Sequence, residues 1–342
     1  MRRKILTTIL ILELIVICIL FFQLTSQKAK NEHIYTPSLA KVFNSSQGKN
    51  KWKRYIQQVG TQKAYRDFIK IYEKSPSYYI RHNSLHYIGE LLYEIDGMHG
   101  IAICDASFLY ACYHGFFGAA IQNKGLIQIK QMDEACLQKT GPYRSACSHG
   151  IGHGILAYMG SKKLVKALDI CDTLKLSLHT KGCKSGIFME YNFNTITSHE
   201  GKQYVRPIGS SSPYIPCSQL ESKHQSICYF IQTDWWEKIY NADYKKMGEL
   251  CNNLSGVNKE NCYLGIGNNA LRTSNFDIQE TLKKCDAIEP INENMLCKAG
   301  SAIRYKIQAE QENLEPKMTD EFCNSVQISI KKFCLEKSKI LN

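Results

Sequence analysis

Residues 251–262 read Cys-Asn-Asn-Leu-Ser-Gly-Val-Asn-Lys-Glu-Asn-Cys, a polar stretch held between two cysteines. Upstream, Tyr244, Met247 and Leu250 recur at helical spacing and run into Cys251; downstream, Cys262 opens a second helical run that ends near Leu271. The segment therefore reads as helix A, a polar turn, and helix B, with a cysteine at each end of the turn. Ile278 to Cys285 repeats the pattern of helix A. Fourteen of the fifteen cysteines fall into such pairs: Cys104 and Cys112, Cys136 and Cys147, Cys171 and Cys183, Cys217 and Cys228, Cys251 and Cys262, Cys285 and Cys297, Cys323 and Cys334. Six pairs are separated by 11 or 12 positions and the first by 8, and successive pairs begin 32, 35, 46, 34, 34 and 38 residues apart. That period marks a repeat protein.

The fifteenth cysteine, Cys18, lies in the apolar run from Ile5 to Phe22, which follows Arg2, Arg3 and Lys4. This is the pattern of an export signal or a membrane anchor. Glu13 in its middle costs about 3 kcal/mol on insertion scales, but Gln23 to Lys30 offers no small-residue cleavage site. We therefore expect an uncleaved anchor over residues 1–26, with a cleaved and secreted chain as the alternative. Bulky Ile17 argues against lipid attachment at Cys18. Either way the remainder lies outside the cytoplasm, in a periplasm or at a cell surface. There thiols oxidise, and the simplest pairing is seven local disulfides. A closed loop of about 12 residues stabilises by roughly 3 kcal/mol. Metal thiolate sites call for C-x-x-C knuckles, which the chain lacks.

One hairpin cannot bury its own apolar face, so neighbours must stack. The expected fold is all-α: a solenoid of antiparallel helical hairpins, each closed by a local disulfide, behind an N-terminal membrane anchor. Architecturally the pattern resembles tetratricopeptide-like repeats, in particular bacterial cysteine-stapled variants, over about Tyr65 to Leu335. The Trp, Leu-Gly, Tyr and Pro consensus of that family is absent, so the resemblance implies a fold and no site residues. A cysteine-free hairpin is expected in Ala64 to Tyr93, with Lys74 to Ser77 as its turn. The organisation reads as an anchor at 1–26, a stalk at 27–60, N-terminal repeats at 61–194, an inserted Gly-, Ser- and Pro-rich loop at 195–216, and C-terminal repeats at 217–342. Lys331, Lys332, Lys337 and Lys339 give the final helix the polar face of an end repeat.

The formal charge of +12 favours anionic membrane or envelope polymers as neighbours rather than nucleic acid in that compartment. No P-loop, dinucleotide fingerprint, H-E-x-x-H helix or haem attachment motif is present. With every cysteine after the anchor partnered, a thiol nucleophile is not expected.

One feature varies along the repeats. Two positions after the second cysteine stand His114, His149, Ser185, Phe230, Leu264 and Ala299. The same register in the cysteine-free hairpin puts Ser84 in place of the cysteine and His86 at the histidine position. Four residues further on come Glu90, Gly118, His153 and Met189, with Glu190 next. His86 with Glu90, and His149 with His153, are i, i+4 pairs on one helical face. The segment from Cys147 to Gly154 packs five glycines and histidines into six positions, an expensive composition inside a helix. In a stack, equivalent side chains meet in one groove, and Gly115, Gly118, Gly150, Gly152, Gly154 and Gly186 allow close approach there. His86, Glu90, His114, His149 and His153 are thus candidate ligands of a divalent metal such as zinc, with Glu190 as ligand or as the base that activates bound water. The competing reading is that these histidines only bond within the hairpin turns. His82, His99, His179, His199 and His224 share no register and read as surface or loop residues, and Trp235 and Trp236 as core or groove aromatics. Two functions follow: a membrane-tethered scaffold that binds a protein or envelope polymer on its concave face, or a metal-dependent hydrolase or metal-binding protein.

Overall fold

The structure, a computed structural model, describes residues 17, 46–75, 78–140, 142–193, 195, 206, 212–289, 291–312 and 331. The expected anchor, the seventh disulfide between Cys323 and Cys334, and the polar end helix lie outside these residues, apart from Ile17 and Lys331. Among the described residues no helix is long and apolar enough to cross a membrane, and every regular element is a helix.

Two compact units divide at Lys74 and Ser75. The first contains α1 (Ser46–Val59) and α2 (Thr61–Tyr72), joined at Gly60 with φ 83°. Trp52 and Phe68 pack edge to face at 5.1 Å between ring centres, and Tyr55 donates a 2.6 Å hydrogen bond to Asp67 Oδ2. The expected stalk thus ends in a packed helix. Its polar surface hides an apolar set, Trp52, Tyr55 and Ile56, too short to stand out in the sequence.

The second unit holds α3 (Tyr78–Asp96), α4 (Ser107–Lys124), α5 (Ile129–Leu137), α6 (Pro142–Met159), α7 (Leu164–Cys171), α8 (Ser177–Phe193), α9 (Ser222–Ile239), α10 (Tyr244–Asn252), α11 (Gly256–Thr273), α12 (Ile278–Asp286) and α13 (Ile291–Glu312). The short helices α5, α7, α10 and α12 are the A helices. In α10 the buried side is Tyr244, Met247, Gly248 and Cys251, an i, i+3, i+4, i+7 stripe. Asp243 caps its start by accepting from the Lys246 amide, as Asp277 does for α12 with Glu280. Short 3-10 segments, Gly97–Ala102 and Cys217–Gln219, take the place of A before α4 and α9.

The long helices are the B helices, and each packs on the next, from α3 through α4, α6, α8, α9 and α11 to α13. α13 also touches α4. Long stretches of them are enclosed on all sides: in α4, Ala111, Cys112, Tyr113, Phe116, Phe117, Ala120 and Ile121 are fully buried. Glycines set the spacing. A Cβ built on Gly115 falls 1.7 Å from the His86 carbonyl oxygen, and one on Gly186 falls 2.0 Å from that of His149, so helix meets helix backbone to backbone.

Six disulfides join A to B as the spacing predicts, with Cα–Cα distances of 5.4 to 5.6 Å, inside the ordinary range. One detail differs. The second cysteine does not open helix B: α11 starts at Gly256, so Cys262 stands well inside it, and likewise Cys147 in α6 and Cys297 in α13. The first turns of these helices carry polar residues, which leave no apolar period to read. His114 and His149 are consequently mid-helix residues whose backbone groups are already paired, and they do not bond within a hairpin turn.

Candidate metal centre

The B helices α3, α4, α6 and α8 bring five imidazoles together. His82 and His86 come from α3, His114 from α4, His149 and His153 from α6, and Glu190 stands behind them on α8. Ring centres lie 4.8 Å apart for His82 and His86, 5.0 Å for His86 and His114, 5.1 Å for His114 and His149, 4.4 Å for His114 and His153, and 4.7 Å for His149 and His153. Two trios present ring nitrogens all within 4.8 Å of one another: His82, His86 and His114, and His114, His149 and His153. Either trio is able to hold a metal ion.

One assignment of the ring protons satisfies the hydrogen bonds to Ser185, Glu190 and Thr195. Ser185 Oγ lies 2.7 Å from both the Gly182 carbonyl oxygen and His149 Nδ1; with its proton given to the carbonyl, that nitrogen is the donor. Thr195 gives its proton to Glu190 Oε2, so His153 Nδ1, 2.9 Å from both Glu190 Oε2 and Thr195 Oγ1, is also a donor. A neutral imidazole protonated on Nδ1 has a lone pair on Nε2. The Nε2 atoms of His149 and His153 face each other at 3.1 Å. His82 Nδ1 likewise donates to the Phe108 carbonyl at 2.7 Å, and the 3.1 Å contact of His114 Nδ1 with His86 Nε2 takes one proton between the two nitrogens.

Burial keeps these rings neutral. It is the largest cause holding His153 down to about 3 and His82 to about 4, the latter with help from His153, Arg272 and Arg304. The same cause, with neighbouring imidazoles, holds His86, His114 and His149 well below the usual 6.5. His153 is 0% exposed and Glu190 3%.

Of the sequence candidates, His86, His114, His149 and His153 converge, and Glu190 sits on the far nitrogen of His153 rather than in the space between the rings. Glu90 is half-buried and supplies no atom to either trio. His82 belongs to the cluster, against the expectation of a surface residue; its signal was the i, i+4 spacing to His86 on the same face. The C-terminal repeats also carry buried charge. Asp234, six residues after Cys228 as His153 is after Cys147, pairs with Arg272 at 3.3 Å, and burial pushes its carboxyl up to about 6.

Two other histidines read as surface residues are buried. His179 Nδ1 donates to Asp133 Oδ1 at 2.5 Å, tying α8 to α5 across 46 residues of chain. His224 lies with Asp169 and Asp172, but Lys184 and Lys223 already hold Asp172. His99 is exposed as expected. Arg206, from the inserted loop, reaches Asn192 Oδ1 at 2.5 Å and Gln232 Oε1 at 2.9 Å and lies 4.7 Å over the Trp235 ring, anchoring that loop between α8 and α9. Trp235 and Trp236 are core residues.

Comparison of the chain with family models, with curated proteins and with solved structures finds no match.

Proposed function

We propose that this chain is an extracytoplasmic solenoid, tethered by its N-terminal apolar segment, that holds a transition-metal ion on His114, His149 and His153. The observation that carries the reading is the pair of facing lone pairs. His149 Nε2 and His153 Nε2 lie 3.1 Å apart with both ring protons committed elsewhere. Two acceptors repel at that distance unless a cation lies between them. Two nitrogens bound to one tetrahedral zinc, at about 2.0–2.1 Å each, stand roughly 3.3 Å apart. The backing carboxylate supports the same reading: an imidazole that ligates through one nitrogen and gives its other proton to Glu190 is oriented and made more basic.

Three imidazoles leave one coordination position open, the arrangement that activates water in metal-assisted hydrolysis. Glu190 acts in this reading as a positioning residue for His153. Burial sets the size of what is bound. The trio admits an ion or a small molecule, whereas an envelope polymer or partner protein would meet the scaffold elsewhere, on the surface that carries the net charge of +12. The six disulfides support an oxidising compartment for the described repeats.

The test is elemental analysis of protein isolated from an oxidising compartment without chelators. Stoichiometric zinc or copper is expected, and a chain with both His149→Ala and His153→Ala should lose it while keeping its helical signal and its disulfides. Wild-type protein that is metal-free, refuses added metal and is normally stable would overturn the proposal.

A further inference from the structure

We infer that the imidazole cluster takes a second cation, on His82 and His86, with His114 shared between the two ions. The inference rests on the first site as proposed above. His114 is the one residue common to both trios, and it has a nitrogen for each: Nδ1 faces His86 Nε2 at 3.1 Å, which leaves Nε2 for His149 and His153. His82 has its lone pair on Nε2, because its Nδ1 proton goes to the Phe108 carbonyl. The two trios also match in size. Ring centres of 4.8, 5.0 and 5.1 Å in the first compare with 4.4, 4.7 and 5.1 Å in the second. Both are built from imidazole alone, a ligand set that suits zinc and copper.

The chemistry balances without redox change. A divalent ion forms bonds to His82 Nε2, His86 Nε2 and His114 Nδ1; one N–H bond breaks, and the proton held between His114 and His86 passes to solvent. His114 is left as a bridging imidazolate whose negative charge lies between the two cations. The surrounding charges set the order of filling. The Glu190 carboxylate backs His153 in one trio, whereas His82 in the other gives its Nδ1 proton to a neutral carbonyl. The His82 position therefore fills second and more weakly.

Copper(II) is the probe. The full chain, stripped by chelator with its disulfides intact, is titrated with copper(II), and bound metal per chain is measured after desalting alongside the electron paramagnetic resonance signal. Two ions per chain are expected. The first should give a full-intensity signal and the second should quench it, since an imidazolate bridge couples the two spins. His82→Ala should bind one ion and keep its signal. One ion in the wild type overturns the second site and leaves the first standing, and none overturns both. Two ions with independent full-intensity signals overturn the shared His114, and a His82→Ala chain that still binds two overturns the placement on His82. Should that variant fail to fold, the wild-type stoichiometry and signal decide alone.

Discussion

Replacing Gly186 by alanine should disturb the proposed metal centre more than it destabilises the fold. A Cβ at this position falls 2.0 Å from the His149 carbonyl oxygen, 2.9 Å from its carbonyl carbon and 3.1 Å from the His153 amide nitrogen. Ordinary contact begins at 3.4 Å. All three atoms are backbone, so no side-chain rotation relieves the collision, and α6 and α8 must part by about 1 Å in a close-packed interior. Overpacking of this kind costs about 1–3 kcal/mol, and alanine offsets about 1 kcal/mol of that through better helix propensity. A net loss of about 0–2 kcal/mol follows. At the site, the bonds from His149 to Ser185 at 2.7 Å and from His153 to Glu190 at 2.9 Å both cross from α6 to α8. An added separation of about 1 Å takes both beyond hydrogen-bond range. Imidazoles that lose their orienting partners bind metal about 10- to 100-fold more weakly. The assay is zinc titration against a competing chelator dye, with thermal unfolding measured on the same samples. Gly160→Ala is the control: its φ of 81° makes alanine strained, by about 1–2 kcal/mol, but nothing lies within 4 Å of the new methyl group. If both variants lose similar stability and both keep wild-type affinity, backbone contact between α6 and α8 is not what assembles the site.

Three further outcomes are expected. Because burial holds all five clustered histidines below 6.5, His82 at about 4 and His153 at about 3, the unfolded metal-free chain takes up protons that the folded one refuses as pH falls from about 7 toward about 4. Stability should drop through that window and level off above it. Urea midpoints across the range measure this, and replacing His149 and His153 by glutamine should flatten the slope. Removing the Cys251–Cys262 bridge with paired serines should cost about 3 kcal/mol in the same denaturation experiment, with zinc affinity unchanged because neither α10 nor α11 supplies a residue to the proposed site. His179→Ala should cost about 1.5–3 kcal/mol by removing the ring's hydrogen bond to the buried Asp133 carboxylate, again with metal binding retained. Wild-type stability in that variant would show Asp133 to be satisfied by the Lys175 amide alone.

The cysteine pairs made the hairpins legible, because a covalent staple imposes a spacing that survives any change in the residues between. Register from the same cysteines found His86, His114, His149, His153 and Glu190. It missed His82, which stands two residues before Ser84, at a position where the other repeats carry no histidine. Asp234 stands at the register position of His153, but a lone carboxylate on a helix carries no signal of burial in the sequence. The starts of the B helices were silent for a different reason: polar residues such as Asn258 and Lys259 form a helical turn whose face toward solvent shows no apolar period. The bond between His179 and Asp133 joins residues 46 apart in different repeats, and no local pattern announces such a partner. Glu190 was found, but its service to His153 rather than to the space between the rings depends on the α6–α8 contact, which glycine alone makes close enough.

The short bridges have a consequence for biogenesis. Each described bond closes a span of 8 to 12 residues, and the nearest wrong thiol in a neighbouring repeat is at least 23 residues away in sequence. Chain closure alone disfavours the mismatch only slightly, by about 0.6 kcal/mol per doubling of the span. Timing does the rest. A polypeptide threaded amino end first into an oxidising space shows one matched couple of thiols before the next couple arrives, so oxidation in order of appearance yields the native set without reshuffling.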